Sequence, residues 1–200
     1  MCWMLRKKFQ AKSVIDNCGG WNALLAHGKF SIQKLYCKLL PTCDSVPWKR
    51  LIYQSRASPR SLFINWLHGR LYTCDKLLSW GMHVDPISVL CGAAPESINH
   101  LYFECDYARE VWDACLHVLH ISRPIEPFGT EIKQACKMIQ GKQAKHELYG
   151  MLFAEAVYAI WIQRNARKFQ HNFTCSQVVF RQIVYHVACR FNGPCNLLLL

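Results

Sequence analysis

CGAAPESINHLYFEC, Cys91 to Cys105, places two thiols and an imidazole, those of Cys91, His100 and Cys105, within fifteen residues. Donors of this kind at this spacing can close a compact loop around Zn²⁺, which takes thiolate and imidazole ligands in structural sites. Pro86, Gly92 and Pro95 interrupt regular structure, so residues 83–99 read as loop and tight turn. Tyr107, Val111, Trp112, Cys115 and Leu119 then recur at helical spacing and predict a helix over 106–120 capped by Asp106. The fourth ligand is the difficulty. A further cysteine belongs three residues before Cys91, and that position is Ser88. A neutral hydroxyl is a poor zinc ligand, because the ion needs a deprotonated thiolate or a free imidazole nitrogen. Cys74, His83, Cys115 and His117 are the substitutes the sequence offers; water is another, which makes an open site, but no general base stands ready to use it. The competing reading makes Cys91 and Cys105 small buried hydrophobes and His100 a hydrogen-bonded loop residue. Without metal, Leu90, Leu101, Phe103 and Trp112 would pack together and hold the loop.

Outward from this loop the chain reads as helical. Residues 1–16 form a basic amphipathic helix ended by Asn17-Cys18-Gly19-Gly20. A second helix spans 30–40, with Ile32, Leu35, Tyr36 and Leu39 on one face and Pro41 as its stop. Pro47 and Pro59 each open a short helix, as proline does in a first turn. Thr73 caps a helix over 74–80, and Gly81 ends it. Downstream, SRPIEPFG over 122–129 reads as a linker. Helices follow over 131–139, 145–170 and 178–191, the second apolar enough to be buried centrally and the last with its stripe at Val179, Ile183, Val187 and Phe191. No strand alternation and no internal repeat stands out. The expected fold is mainly α, helical subdomains around a small irregular knuckle-like loop. The expected division is a basic helical segment 1–27, a zinc-binding-like domain 28–121, a linker 122–130 and a helical region 131–200.

An apolar fraction of 52 % supports a packed core in these 200 residues. Lys plus Arg exceed Asp plus Glu by 24 to 13, a net charge of +11 that suits a polyanionic partner, though it also serves solubility alone. The twelve cysteines are scattered, several of them (Cys37, Cys115, Cys136, Cys189) inside apolar helical patterns, and MCWMLRKKFQAK lacks the layout of a secretory signal. These features place the chain in a reducing compartment, intracellular, nuclear or cytoplasmic rather than secreted. The most apolar run, residues 151–163, is too short to span a bilayer and contains Glu155, so no membrane partner is expected.

Catalytic patterns are missing from the sequence. Asp85, Asp106 and Asp113 stand alone, with no paired-aspartate turn to hold two metal ions for phosphoryl transfer. No P-loop, HExxH helix or GxSxG elbow is present. Cys–His pairs carry no weight among twelve cysteines and nine histidines. The expectation is a non-catalytic chain without a small-molecule substrate. Basic clusters at Arg6-Lys7-Lys8, Lys49-Arg50, Arg56 with Arg60, and Arg164 with Arg167-Lys168 are available to phosphates, and the candidate contacts are Lys49, Arg50, Arg60, Arg70, Arg164, Arg167 and Lys168. Exposed aromatics beside them would stack on bases of RNA or single-stranded DNA. Helical spacing instead assigns most of Trp48, Trp66, Trp80, Trp112 and Trp161 to the core. Oligomeric state is open.

The run INWLHGRLYTCDKLLSWGMHVDPISVLCGAAPESINHLYFECDYAREVW, residues 64–112, resembles the zinc-binding domain of plant reverse transcriptases of LINE-type, non-LTR retrotransposons. GKFSIQKLY (28–36), VPWKRLIY (46–53) and VYAIWIQRNARKF (157–169) are similar to flanking pieces of that family. The resemblance implies that Cys91, His100 and Cys105 are zinc ligands and that Ser88 occupies the first cysteine's place. It also implies a position downstream of a polymerase that this chain lacks. The segment 66–70 is shorter than the family's usual form, and with Ser88 it marks a decaying or domesticated copy. Two functions follow: a nucleic-acid-binding accessory module, or a vestigial or protein-interaction helical domain with neither ligand. Cations gathered beside the knuckle favour the first, and scattered cations the second.

Overall fold

His27 and Gly28 both take positive φ, 50° and 75°, the pair of angles that a two-residue hairpin turn of the I′ kind requires. They join β1 (Leu25–Ala26) to β2 (Lys29–Phe30), paired antiparallel as Leu25 with Phe30 and Ala26 with Lys29. This hairpin corrects the expectation of no strand: Ala-His-Gly-Lys is too short to show alternation, and the His-Gly turn is its only signal. In the computed structural model, residues 12–39, 51, 57–58, 61, 71–141 and 143–191 are described, the side chain of Tyr36 excepted. They fall into two compact units, Met1–Val46 and Pro47–Leu200.

In the first unit, residues 12–17 are helical and end at Cys18, whose N–H reaches Val14 at 3.1 Å. A single turn, α1 (Gly20–Ala23), precedes the hairpin, and α2 (Ile32–Leu39) follows it, close to the predicted 30–40. Leu24 is fully buried, and Lys38 donates to the Cys18 carbonyl at 2.7 Å, fastening α2 to the first helix.

The second unit contains α3 (Cys74–Ser79), a π-helical turn His100–Glu104, α4 (Asp106–Val118), α5 (Phe128–Met138), α6 (Ala144–Gln170) and α7 (Ser176–Ala188). The mainly α expectation holds among the described residues. Gly81 ends α3 with φ 77°, as glycine does at a helix terminus. The short helices expected after Pro47 and Pro59 lie almost wholly outside the described residues.

The predicted stripes face inward. Val111, Trp112 and Cys115 of α4 and Val179, Ile183 and Val187 of α7 are buried, and so is the middle of α6 from Leu148 to Val157. Phe103 lies among Trp112, Phe128 and Phe153 with ring centroids 5.7–5.9 Å apart. Not every sequence assignment to the interior survives. Trp80 is 60 % exposed, and Cys37 and Cys189 are exposed while Cys115 and Cys136 are buried.

The linker segment 122–130 lies within the second unit and is bound into it. Glu131 is fully buried, pairs with Arg123 through both oxygens at 2.6 Å, and accepts the Trp112 indole N–H at 3.1 Å. The helix α5 starts at Phe128, three positions before the expected Glu131, because Phe128 inserts into the aromatic cluster. Among the described residues no helix is long and apolar enough to cross a membrane.

Candidate metal centre

Three different local structures deliver the three donors. Cys91 comes from a tight turn: the Ser88 N–H donates to Ala94 O at 2.9 Å, the Gly92 N–H returns to Ser88 O at 2.8 Å, and Gly92 takes φ 67°. A bridge between Ile87 and Pro95 closes the turn's base. His100 opens the π-helical turn, whose wider winding brings the Cys105 N–H onto the His100 carbonyl at 2.7 Å. Leu101, Tyr102 and Phe103 within it are fully buried and anchor it to the core. Cys105 is the residue that precedes α4 at its N-terminus, a place expected for Asp106.

The side-chain donor atoms of Cys91, His100 and Cys105 all lie within 4.8 Å of one another, and Cys91 Sγ is 3.3 Å from His100 Nε2. Tetrahedral zinc, with bonds of about 2.0–2.3 Å, holds its donors roughly 3.3–3.8 Å apart. Closing the widest gap therefore takes a shift of about 1 Å, within reach of side-chain rotation. The donor chemistry fits too. Burial pushes the Cys91 thiol up, but the Ala93 and Ala94 N–H groups and His100 outweigh it and bring the thiol down to about 7. Burial pushes Cys105 up to about 11, against N–H groups of Ala108 and Tyr107 at the start of α4 that favour its thiolate. One thiolate is thus accessible near neutrality, and an ion supplies the charge needed to ionise the second. Zinc held here would cross-link turn, π turn and helix end.

Ser88 is fully buried. Its Oγ accepts the Leu90 N–H at 3.3 Å, as Cys91 Sγ accepts the Ala93 N–H at 3.5 Å. The two side chains thus stand in the same relation to the turn, two residues before an amide that points at them. Ser88 thus offers the turn a hydroxyl where Cys91 offers a thiol. None of the proposed substitutes joins the donor group among the described residues. Cys74 is buried against Glu96 and Arg164, His83 is exposed, Cys115 is buried inside α4, and His117 is held at 3.0 Å by the Asp113 carbonyl.

Residues 30–112 match the family model described as zinc-binding in reverse transcriptase. The matched stretch includes all three donors and ends at Trp112, so it covers less than half of the chain and leaves α5, α6 and α7 outside. No curated protein and no solved structure matches the chain. The family is zinc-binding, and the three-donor group gives the domain a place for the ion with one position incomplete.

The residues expected to meet phosphates fare differently. Lys49, Arg50, Arg60 and Arg70 lie outside the described residues. Arg164 is a correction: it is 3 % exposed and paired with Glu96, so no phosphate reaches it. Arg167 is half-buried, its guanidinium lying 4.3 Å from the Tyr107 ring centroid and 4.0 Å from that of Phe173. Lys168 is half-buried, with Nζ 4.0 Å from Cys74 Sγ. Glu96 was missed altogether. It sits inside the loop, 1 % exposed, and its Oε1 accepts the Cys74 N–H at 3.0 Å at the start of α3. Thr73, the expected cap, instead donates to the Asp75 carboxylate. A lone glutamate between proline and serine offers no sequence signal until its arginine, 68 positions on, is known.

Proposed function

We propose that this chain is a non-catalytic, zinc-knuckle-like module derived from the reverse transcriptase of a plant LINE-type retrotransposon that binds single-stranded RNA or DNA. The observation that carries the reading is the convergence of Cys91, His100 and Cys105 within 4.8 Å inside a stretch matching the zinc-binding family. Support for nucleic acid comes from the surface beside the loop. Tyr72 and Trp80 are 61 % and 60 % exposed and meet edge to face at 5.6 Å. The helix α3 between them is fastened to the loop by Glu96. Bases stack on such rings, and the net charge of +11 attracts the backbone. A non-catalytic role agrees with the buried carboxylates Glu96, Glu131 and Glu155, each engaged by an arginine.

Retention on a single-stranded oligonucleotide column tests this. The chain is expected to bind at low salt and elute as salt rises, with affinity falling about tenfold in Trp80→Ala. No retention at low salt removes the nucleic-acid reading. A second reading, a vestigial or protein-interaction helical domain, is favoured by the inward-turned Arg164 and Arg167, which among the described residues leave fewer cations beside the knuckle.

A further inference from the structure

We infer that the metal loop is completed from outside the matched stretch: Arg167 and Arg164 of α6 are positioning residues that hold the Cys91 turn in register with His100 and Cys105. This rests on the zinc reading above. The three donors form two arms. His100 and Cys105 ride on the π turn and the start of α4, which buried Leu101, Tyr102 and Phe103 fix to the core. Cys91 rides on a turn whose hydrogen bonds are mostly internal. Something must set one arm against the other, since three donors define a site only when their separations are fixed.

Arg167 spans the two arms. Its Nη1 donates to the carbonyls of Leu90 at 2.5 Å and Val89 at 3.4 Å, the two residues before Cys91. Its guanidinium lies on the ring of Tyr107, two residues after Cys105, and also on that of Phe173. Tyr107 is itself held, its hydroxyl donating to Thr174 O at 2.9 Å, and Arg167 Nη2 reaches that same carbonyl at 3.4 Å. A planar cation with several donors can bridge carbonyls and stack on rings at once; lysine cannot.

Arg164 fixes the other end of the turn, donating through Nε and Nη2 to the two Glu96 oxygens at 3.0 and 2.7 Å. The Glu96 backbone closes the turn onto Pro86 at 2.8 Å and receives the Asp75 N–H at 3.2 Å. Two arginines one helical turn apart on α6 thus grip the turn on both sides of Cys91. The helix that carries them starts at Ala144, beyond the matched residues 30–112. The chelating unit therefore includes α6.

The test is Co²⁺ titration of the full chain under reducing conditions, followed by thiolate charge-transfer absorption with zinc as competitor. Arg167→Lys and Arg167→Gln are compared with the unaltered chain at a temperature where circular dichroism shows all three folded. Both substitutions are expected to weaken metal binding by about 10–100-fold and to alter the cobalt absorption envelope. A purely structural role lowers the melting temperature but leaves affinity and spectrum of the folded protein unchanged, and that result overturns the inference. Glu96→Gln, which keeps the shape of the grip, is expected to lose less affinity than Arg167→Gln; equal binding by all variants overturns the inference alone. Absence of cobalt uptake by the unaltered chain overturns it together with the zinc reading.

Discussion

Ser88→Cys is expected to tighten zinc binding by about a hundredfold or more. Structural four-ligand sites bind with about 10–16 kcal/mol, so a fourth thiolate contributes on the order of 3 kcal/mol, or two decades in affinity. The expectation rests on the local likeness of the two positions, since Ser88 Oγ accepts an amide two residues on just as Cys91 Sγ does. Replacing a buried hydroxyl oxygen by sulfur adds little volume, and cysteine is at home in an apolar interior. Competition between zinc and a chelator of known affinity, run on both chains under reducing conditions, measures the difference. Equal affinities would show that the turn does not bring position 88 to the ion, and the parallel between the two amide contacts would then have no bearing on coordination.

Arg164→Ala is expected to destabilise the second unit by about 3–5 kcal/mol, the cost of stranding one partner of a buried ion pair. Glu96 is 1 % exposed and gives both oxygens to Arg164, so the alanine variant leaves an unpaired carboxylate in the interior. Burial alone would raise the Glu96 carboxyl, but Arg164 outweighs it and holds the carboxyl below its ordinary value. The pair's contribution is thus complete above the usual glutamate range and is lost as pH falls through the depressed value of the folded state. Urea unfolding at neutral pH should show the loss in Arg164→Ala. Stability of the unaltered chain should fall towards acid, and that fall should be shallower in Glu96→Gln. An Arg164→Ala variant within 1 kcal/mol of the parent would mean that the pair is dispensable.

These two residues show what the sequence could and could not convey. The helices α4, α6 and α7 were legible because their apolar stripes repeat over three turns or more, and burial at Val111, Trp112, Ile183 and Val187 follows that repeat. The grouping of Cys91, His100 and Cys105 was legible because they are close in the chain and chemically distinctive. The π turn at 100–104 was not, since its winding differs from an α turn by only one residue; the next helix has Cys105, not Asp106, before its first residue. Nor was the fate of Arg164 and Arg167, which read as surface cations because charge is the only property a lone arginine displays in sequence. Their partners, Glu96 and the Leu90 carbonyl, are 68 and 77 positions away. Segment 122–130 read as a linker for the same reason: its prolines are visible, whereas the hold of Glu131 on Arg123 and Trp112 exists only in the fold.

Zinc content per chain, measured by elemental analysis after expression with added zinc and purification under reducing conditions, tests the central claim most directly. A single ion per chain, lost in Cys91→Ala and in Cys105→Ala, is the result expected of a loop that chelates through those thiols. Zinc no higher in the parent than in these two variants would contradict it.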